Sequence, residues 1–430
     1  GNLHQYFYNK NDIPSWFHLL NLKYGDVFEL YFGSNKHLMI SNSRVVERIM
    51  TPTKDYFVRV RNGLDDLQKG NIGILFNADF NSWSYVRKVF NRVAGSPNAL
   101  RFAVKMVDNI FQDLEKIWNS LIEEQGQFVN NEQEKSVEID FVSWSKRIFA
   151  ETTMIQTARQ HPNVLSAYYN RITNRDLDNI QSINEEFLDR LFIATDCVQH
   201  YLTIPPFIRN LPIINTYSNY LYENLMWTRH YAYNLVKDRR KEIENIEDKE
   251  KLSPDMLNML LTANTPNDII QSISNESNKK PMSDEEVGDI IVEIFSEGID
   301  AFILYNVGNN PDVEQRILDE IEKVFDYRTD FKISYEDLNK LVYVEAVIKE
   351  VLRIRPVTST ISRFLKHSDK VDEYNIPSST QLAINIVSLH KNQNYWKEPT
   401  KFSPSRFLAS SNNDETYNKS TLMNFGGGIL

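Results

Sequence analysis

Residues 343–356 read YVEAVIKEVLRIRP. The stretch reads as a helix on which Glu350 and Arg353, three positions apart, share one face. Pro356 ends it, because a proline disfavours helical geometry at the residue before it. By itself Glu-x-x-Arg is a weak signal. Solvated helix faces contain it constantly, and such a pair contributes about a few tenths of a kcal/mol.

The pair has company. KFSPSRFL, residues 401–408, carries Arg406 two positions after Pro404 and directly before Phe407. A second arginine can share the Glu350 carboxylate through forked hydrogen bonds and lock the helix to an irregular meander. Then comes NFGGGIL, residues 424–430, whose glycines let backbone approach closely to something.

Outward from these motifs the chain predicts long helices. It has 430 residues, of which 41% are apolar, enough for a sizeable core. Gly and Pro number only 14 and 15, which argues against an all-β sandwich. The net charge of -10 excludes a general nucleic-acid binder. Cys197 is the single cysteine, so neither an internal disulfide nor a zinc cluster is possible, and it reads as a half-buried core thiol. The eight histidines are scattered, with none paired at helical ligand spacing. No run reaches the roughly 18 apolar residues of a membrane span, and no signal peptide is visible.

Residues 14–24 read as a helix opened by Pro14, then 27–32 and 36–41 as a hairpin around Gly33-Ser34. A helix over 43–50 reads as capped by Ser43. Helices are predicted over 80–94, 98–125, 137–158, 176–200 and 215–246. Between the last two, YLTIPPFIRNLPII (201–214) is either a buried connector or a surface loop that dips into a bilayer or lines a greasy entrance. Residues 264–281 read as a polar linker. Ser283 and Glu286 have capping-box spacing and open a further helix. Helices over 312–324 and 335–353 and short strands over 361–386 complete one large, mainly α domain, 1–430, with small β-sheets.

The order Glu-x-x-Arg, Phe-x-Pro-x-Arg-Phe, Phe-Gly-Gly-Gly resembles the cytochrome P-450 family of haem-thiolate monooxygenases. WSYVR (83–87), EGIDA (297–301) and SLHKNQNYWKEPTKF (388–402) agree with it. The resemblance implies the family's fold, haem as cofactor, and Glu350, Arg353 and Arg406 as a structural triad. Trp83, Arg87 and Arg363 would face the haem propionates, and Phe425, Gly426 and Gly428 would belong to the loop around the iron ligand. Asp300 matches the proton-delivering acid. Ala301 stands where the family usually has threonine, and Glu297 is larger than the small residue usual at its place. By this resemblance the ligating cysteine falls two residues beyond Leu430. The chain then reads as a fragment with an incomplete fold, lacking that segment and an N-terminal membrane anchor.

The implied function is insertion of one oxygen atom from dioxygen into a hydrophobic small molecule such as a lipid, sterol or secondary metabolite. The implied electron source is NADPH through a cytochrome P-450 reductase, with Arg87, Lys88 and Arg92 as a basic docking face. The implied location is the cytosolic face of the endoplasmic reticulum membrane. The pocket would be lined by the loop from Phe57 to Phe80, the 176–220 region, the central helix and 357–361. Two alternatives stay open: a peroxide-rearranging relative, which needs no threonine, and a haem-free binding or remnant protein.

Overall fold

The computed structural model describes residues 2–9, 12–32, 35–50, 56–57, 67, 73–74, 77, 79–128, 135–158, 162–177, 179–204, 206–246, 252–266, 268, 280–295, 300–326, 332–365, 367–371, 373–378, 380–408 and 421–423. In chain order the elements begin with α1 (Leu3–Tyr8), α2 (Ile13–Tyr24), β1 (Val27–Phe32), β2 (Asn35–Ile40), α3 (Ser43–Met50) and β3 (Tyr56–Phe57). There follow α4 (Phe80–Ala94), α5 (Pro97–Gln125), β4 (Gln127–Phe128), β5 (Lys135–Ser136), α6 (Phe141–Ala158), α7 (Val164–Ile172), α8 (Asn179–Thr203), α9 (Pro206–Arg209) and α10 (Pro212–Glu244). The remainder is α11 (Met256–Thr262), α12 (Asp284–Phe295), α13 (Asp300–Gly308), α14 (Pro311–Val324), α15 (Val342–Ile354), β6 (Thr360–Leu365), β7 (Asp369–Val371), β8 (Tyr374–Ile376), β9 (Gln381–Asn385) and α16 (Ile386–Lys391).

The predicted mainly helical class with small sheets holds. The largest sheet runs β1-β2-β9-β6-β3, with β2 and β9 parallel and the other neighbours antiparallel. It joins the start of the chain to its last third, which no local pattern shows. One core cluster gathers Val86, Phe187, Ala232, Leu257, Ile290 and Phe295 from α4, α8, α10, α11 and α12. A second packs the sheet against α3 and α16 through Ile40, Val46, Leu382 and Leu389.

Several local expectations are corrected. The α3 cap is Asn42, whose Oδ1 accepts from the Arg44 and Val45 N–H groups, while the Ser43 N–H is taken by the Tyr395 hydroxyl. Residues 335–340 form a separate 3-10 helix, opened by a Ser334–Asp337 capping box, before α15 begins. The helix expected from 137 starts at Phe141, and α7 lies beyond it unforeseen. The helix expected to open at Pro14 is α2, with the proline in its first turn where it loses no bond and Asp12 capping it by accepting from the Ser15 N–H.

The 201–214 segment is a buried connector only in part, with Tyr201, Ile204 and Arg209 buried. α8 runs on to Thr203, α9 intervenes, and Phe207 and Ile213 are 73% and 87% exposed. The box of Ser283 and Glu286 is formed, with each side chain bonded to the other's backbone N–H. Most of the 264–281 linker and the Gly33-Ser34 turn lie outside the described residues. Among the described residues no helix is long and apolar enough to cross a membrane.

Candidate active site

α15 carries Glu350 and Arg353 into the interior, where both are fully buried. Arg353 donates from Nε to Glu350 Oε2 at 2.7 Å and from Nη2 to Oε1 at 2.9 Å. Its Nη1 donates to the carbonyls of His390 at 2.9 Å and Pro399 at 2.8 Å. Arg406 approaches from the 3-10 turn Pro404–Phe407 and places Nε 3.1 Å from each Glu350 oxygen. The Ser403 N–H adds a bond to Oε1 at 2.8 Å. One carboxylate thus gathers two guanidiniums and an amide, and Arg353 threads the meander carbonyls. Burial is tolerable only because the donors are matched.

His390 extends this network, and the sequence offered no sign of it. Its Nε2 accepts the Met423 N–H at 3.0 Å, so Nδ1 carries the proton and donates to the Arg353 carbonyl, also at 3.0 Å. Burial pushes the imidazole down to about 3, holding it neutral. The ring ties α15 to the three residues that lead into NFGGGIL.

Trp83 and Arg87 lie one turn apart on α4, whose start Asp79 caps by accepting from the Ser82 N–H. The Trp83 indole N–H donates to the Ile74 carbonyl at 3.0 Å. The Arg87 guanidinium lies 5.9 Å from the Phe90 ring centre. Arg363 projects from β6, opposite Leu382 of β9, and donates from Nη1 to the Ser362 carbonyl. Burial draws its guanidinium down to about 10. Asp300 and Ala301 open α13, though their side chains are outside the described set. Glu297, Phe425, Gly426 and Gly428 lie outside the described residues altogether. Arg92 points to Asp268 at 3.3 Å, which withdraws it from the expected basic face.

A haem presents propionate carboxylates and an iron. A guanidinium desolvated to the degree of Arg363 is stabilised by an anion, and a propionate carboxylate is one. The iron is different. Among the described residues no group of three His, Cys, Asp or Glu could hold a metal ion. Cys197 is buried in α8 and its thiol is pushed up to about 12, the reverse of what a thiolate ligand needs. A cleft of 530 Å³ between α8 and α10 is lined by Glu185, Glu186, Asp189, Arg190 and Glu223, and none of the candidate residues reaches it. Most of the loop from Phe57 to Phe80, expected to line the substrate pocket, lies outside the described residues.

The sequence profile of the cytochrome P450 family matches residues 1–429. Steroid 17-alpha-hydroxylase/17,20 lyase of Mesocricetus auratus is 28% identical over 413 residues, covering 91% of this chain and 72% of that protein. Cytochrome P450 3A13 of Mus musculus is 22% identical over 414 residues, covering 94% and 74%. The match to cytochrome P450 3A14 of Cavia porcellus, 28% identical over 235 residues, covers 52% of this chain and 44% of that protein. The chain thus spans less than half the length of that relative. A cytochrome P450 heme domain shares the fold, with a TM-score of 0.74 at 17% identity over 100% of this chain and 84% of its own. With the profile running nearly end to end, the chain belongs to the cytochrome P450 family, whose cofactor is haem.

Proposed function

We propose that this chain is a haem-dependent monooxygenase inserting one oxygen atom from dioxygen into a hydrophobic small molecule, with 1–430 acting as one domain. The observation that carries the reading is the closed Glu350–Arg353–Arg406 network in a chain matched by the family over residues 1–429. Arg363 and Arg87 would hold the haem carboxylates, with Trp83 beside them. Haem, when bound, supplies activation of dioxygen. Asp300 is the candidate for moving protons towards it, with Glu297 nearby in sequence. Ala301 offers no hydroxyl at the next position. NADPH, through a cytochrome P-450 reductase, is the proposed electron source, with Arg87 and Lys88 at the docking face.

The exposed side chains of Phe207 and Ile213, 73% and 87% accessible, support contact with a membrane surface at the cytosolic face of the endoplasmic reticulum. Lipids and sterols partition there, which suits the proposed substrate class.

The test is haem uptake by protein made from the full transcript, followed by a reduced, carbon-monoxide difference spectrum, then turnover with NADPH and reductase. A Soret band at the thiolate-ligated position supports the reading. Failure to take up haem sinks it and favours a haem-free protein of this fold. Ala301 specifically favours a second reading, peroxide rearrangement. Conversion of a fatty-acid hydroperoxide by the haem-loaded protein without reductant would select it.

A further inference from the structure

α10 carries one continuous stripe. Ile213, Tyr217, Tyr220 and Asn224 recur at helical spacing, with Glu223 beside the last, so they lie along one face. The stripe begins apolar and open to solvent. Ile213 is 87% exposed, and the Tyr217 and Tyr220 rings are about half-exposed. The Tyr217 ring lies 5.5 Å from that of His200 on α8, so the stripe borders α8. Its far end, Tyr220, Glu223 and Asn224, forms one wall of the 530 Å³ cleft between α8 and α10. That volume is in the range of small-molecule sites.

Most charges in the cleft are already matched. Glu185 is buried and accepts from Arg147 at 2.8 and 2.7 Å, with Arg171 at 3.2 Å. Arg190 donates to Glu186 at 2.8 Å and to the Asn224 Oδ1 at 3.1 Å, and its guanidinium lies 4.8 Å from the Trp227 ring centre. Asp189 on α8 and Glu223 on α10 are exposed and have no ion pair among the described residues. Leu177, Ile193 and the Tyr220 ring place apolar surface beside them. One lining thus offers two unneutralised carboxylates, an aromatic ring and a single fixed cation, Arg190.

We propose that the cleft between α8 and α10 holds the choline headgroup of a bilayer phosphatidylcholine, whose chains meet the apolar end of the α10 stripe at Ile213 and Tyr217. The proposal rests on the membrane contact of Phe207 and Ile213 argued above, and haem plays no part in it. A trimethylammonium is a bulky cation with an apolar shell. It is attracted to carboxylates and to the face of an aromatic ring, as Asp189, Glu223 and Tyr220 provide. Arg190 meets the phosphate of the same zwitterion. An anionic headgroup without the ammonium is repelled by the two free carboxylates. The acidic cleft at the end of an apolar stripe therefore selects among lipids, which the exposed apolar residues alone do not.

The test is calorimetric titration of the full chain with dihexanoylphosphatidylcholine below its micelle concentration, beside dihexanoylphosphatidylglycerol, which has the same chains and an anionic headgroup. The choline lipid should bind saturably and about tenfold more tightly. Asp189→Asn with Glu223→Gln should remove that preference, and both sites are exposed, so the variant keeps its fold. Phe207→Ser with Ile213→Ser should weaken binding of phosphatidylcholine vesicles while leaving the preference in the soluble titration intact. Equal affinity for the two lipids, no saturable binding, or a preference that survives the double amide variant overturns the cleft. Free choline binding as tightly as the lipid assigns the cleft to a soluble ammonium ion and overturns the headgroup. Vesicle binding that fails while the soluble preference stands overturns the membrane contact alone, so the two readings fail separately.

Discussion

The two acidic centres of this molecule are built in opposite ways. Around Glu350 the charged side chains are buried, and the carboxylate takes Arg353 from its own helix and Arg406 from 56 positions on. Around Asp289 and Glu293 the carboxylates reach across 60 and 219 positions to Arg229 and Ile74. The first centre joins elements into a rigid unit. The second ties α12 to Arg229 of α10 and to the Ile74 amide. A fully matched buried network is costly to disturb anywhere.

Disrupting the α15 side should have the largest effect. Glu350→Ala leaves two guanidiniums buried without their carboxylate and should cost about 3–5 kcal/mol. Urea unfolding would show it as a collapse of the midpoint. Asp289→Ala strips Arg229 of its carboxylate at a site that is nearly as well buried, and should cost about 2–3 kcal/mol in the same measurement. A loss as large as that for Glu350→Ala would erase the distinction between the two centres.

Acid sharpens the contrast further. His390 has a folded value of about 3 against an ordinary 6.5, so between those values the unfolded chain binds a proton that the folded protein refuses. Its contribution is fully present above the ordinary value and is lost as pH falls. About 2 kcal/mol should disappear by about pH 5, above the range of ordinary carboxylates. Urea midpoints across that interval should fall in the native protein and stay flatter in His390→Gln. The smallest effect on stability should come from Phe207→Ser with Ile213→Ser. Both sites are solvent-facing, so unfolding should change by less than about 0.5 kcal/mol. Binding to phosphatidylcholine vesicles should nevertheless drop if this surface meets a bilayer.

Local sequence chemistry was enough for the helical class, the hairpin of β1 and β2, the Ser283 capping box and the pairing of Glu350 with Arg353, because each depends on residues a few positions apart. The order of motifs also anticipated Arg406. What escaped was set by distance. Asn42 takes the cap next to Ser43, whose own amide is held by Tyr395 from the far end of the chain. The short apolar run at 201–214 has no periodicity that tells a core connector from an exposed one, and only packing placed Phe207 and Ile213 in solvent. His390 reads as one more scattered histidine until folding brings Arg353 and Met423 to its two nitrogens. Glu293 is one more acid on α12 until Ile74 arrives beside it. Periodicity and capping act along the chain and leave their mark in it, whereas a buried polar group takes whichever partner the tertiary fold delivers.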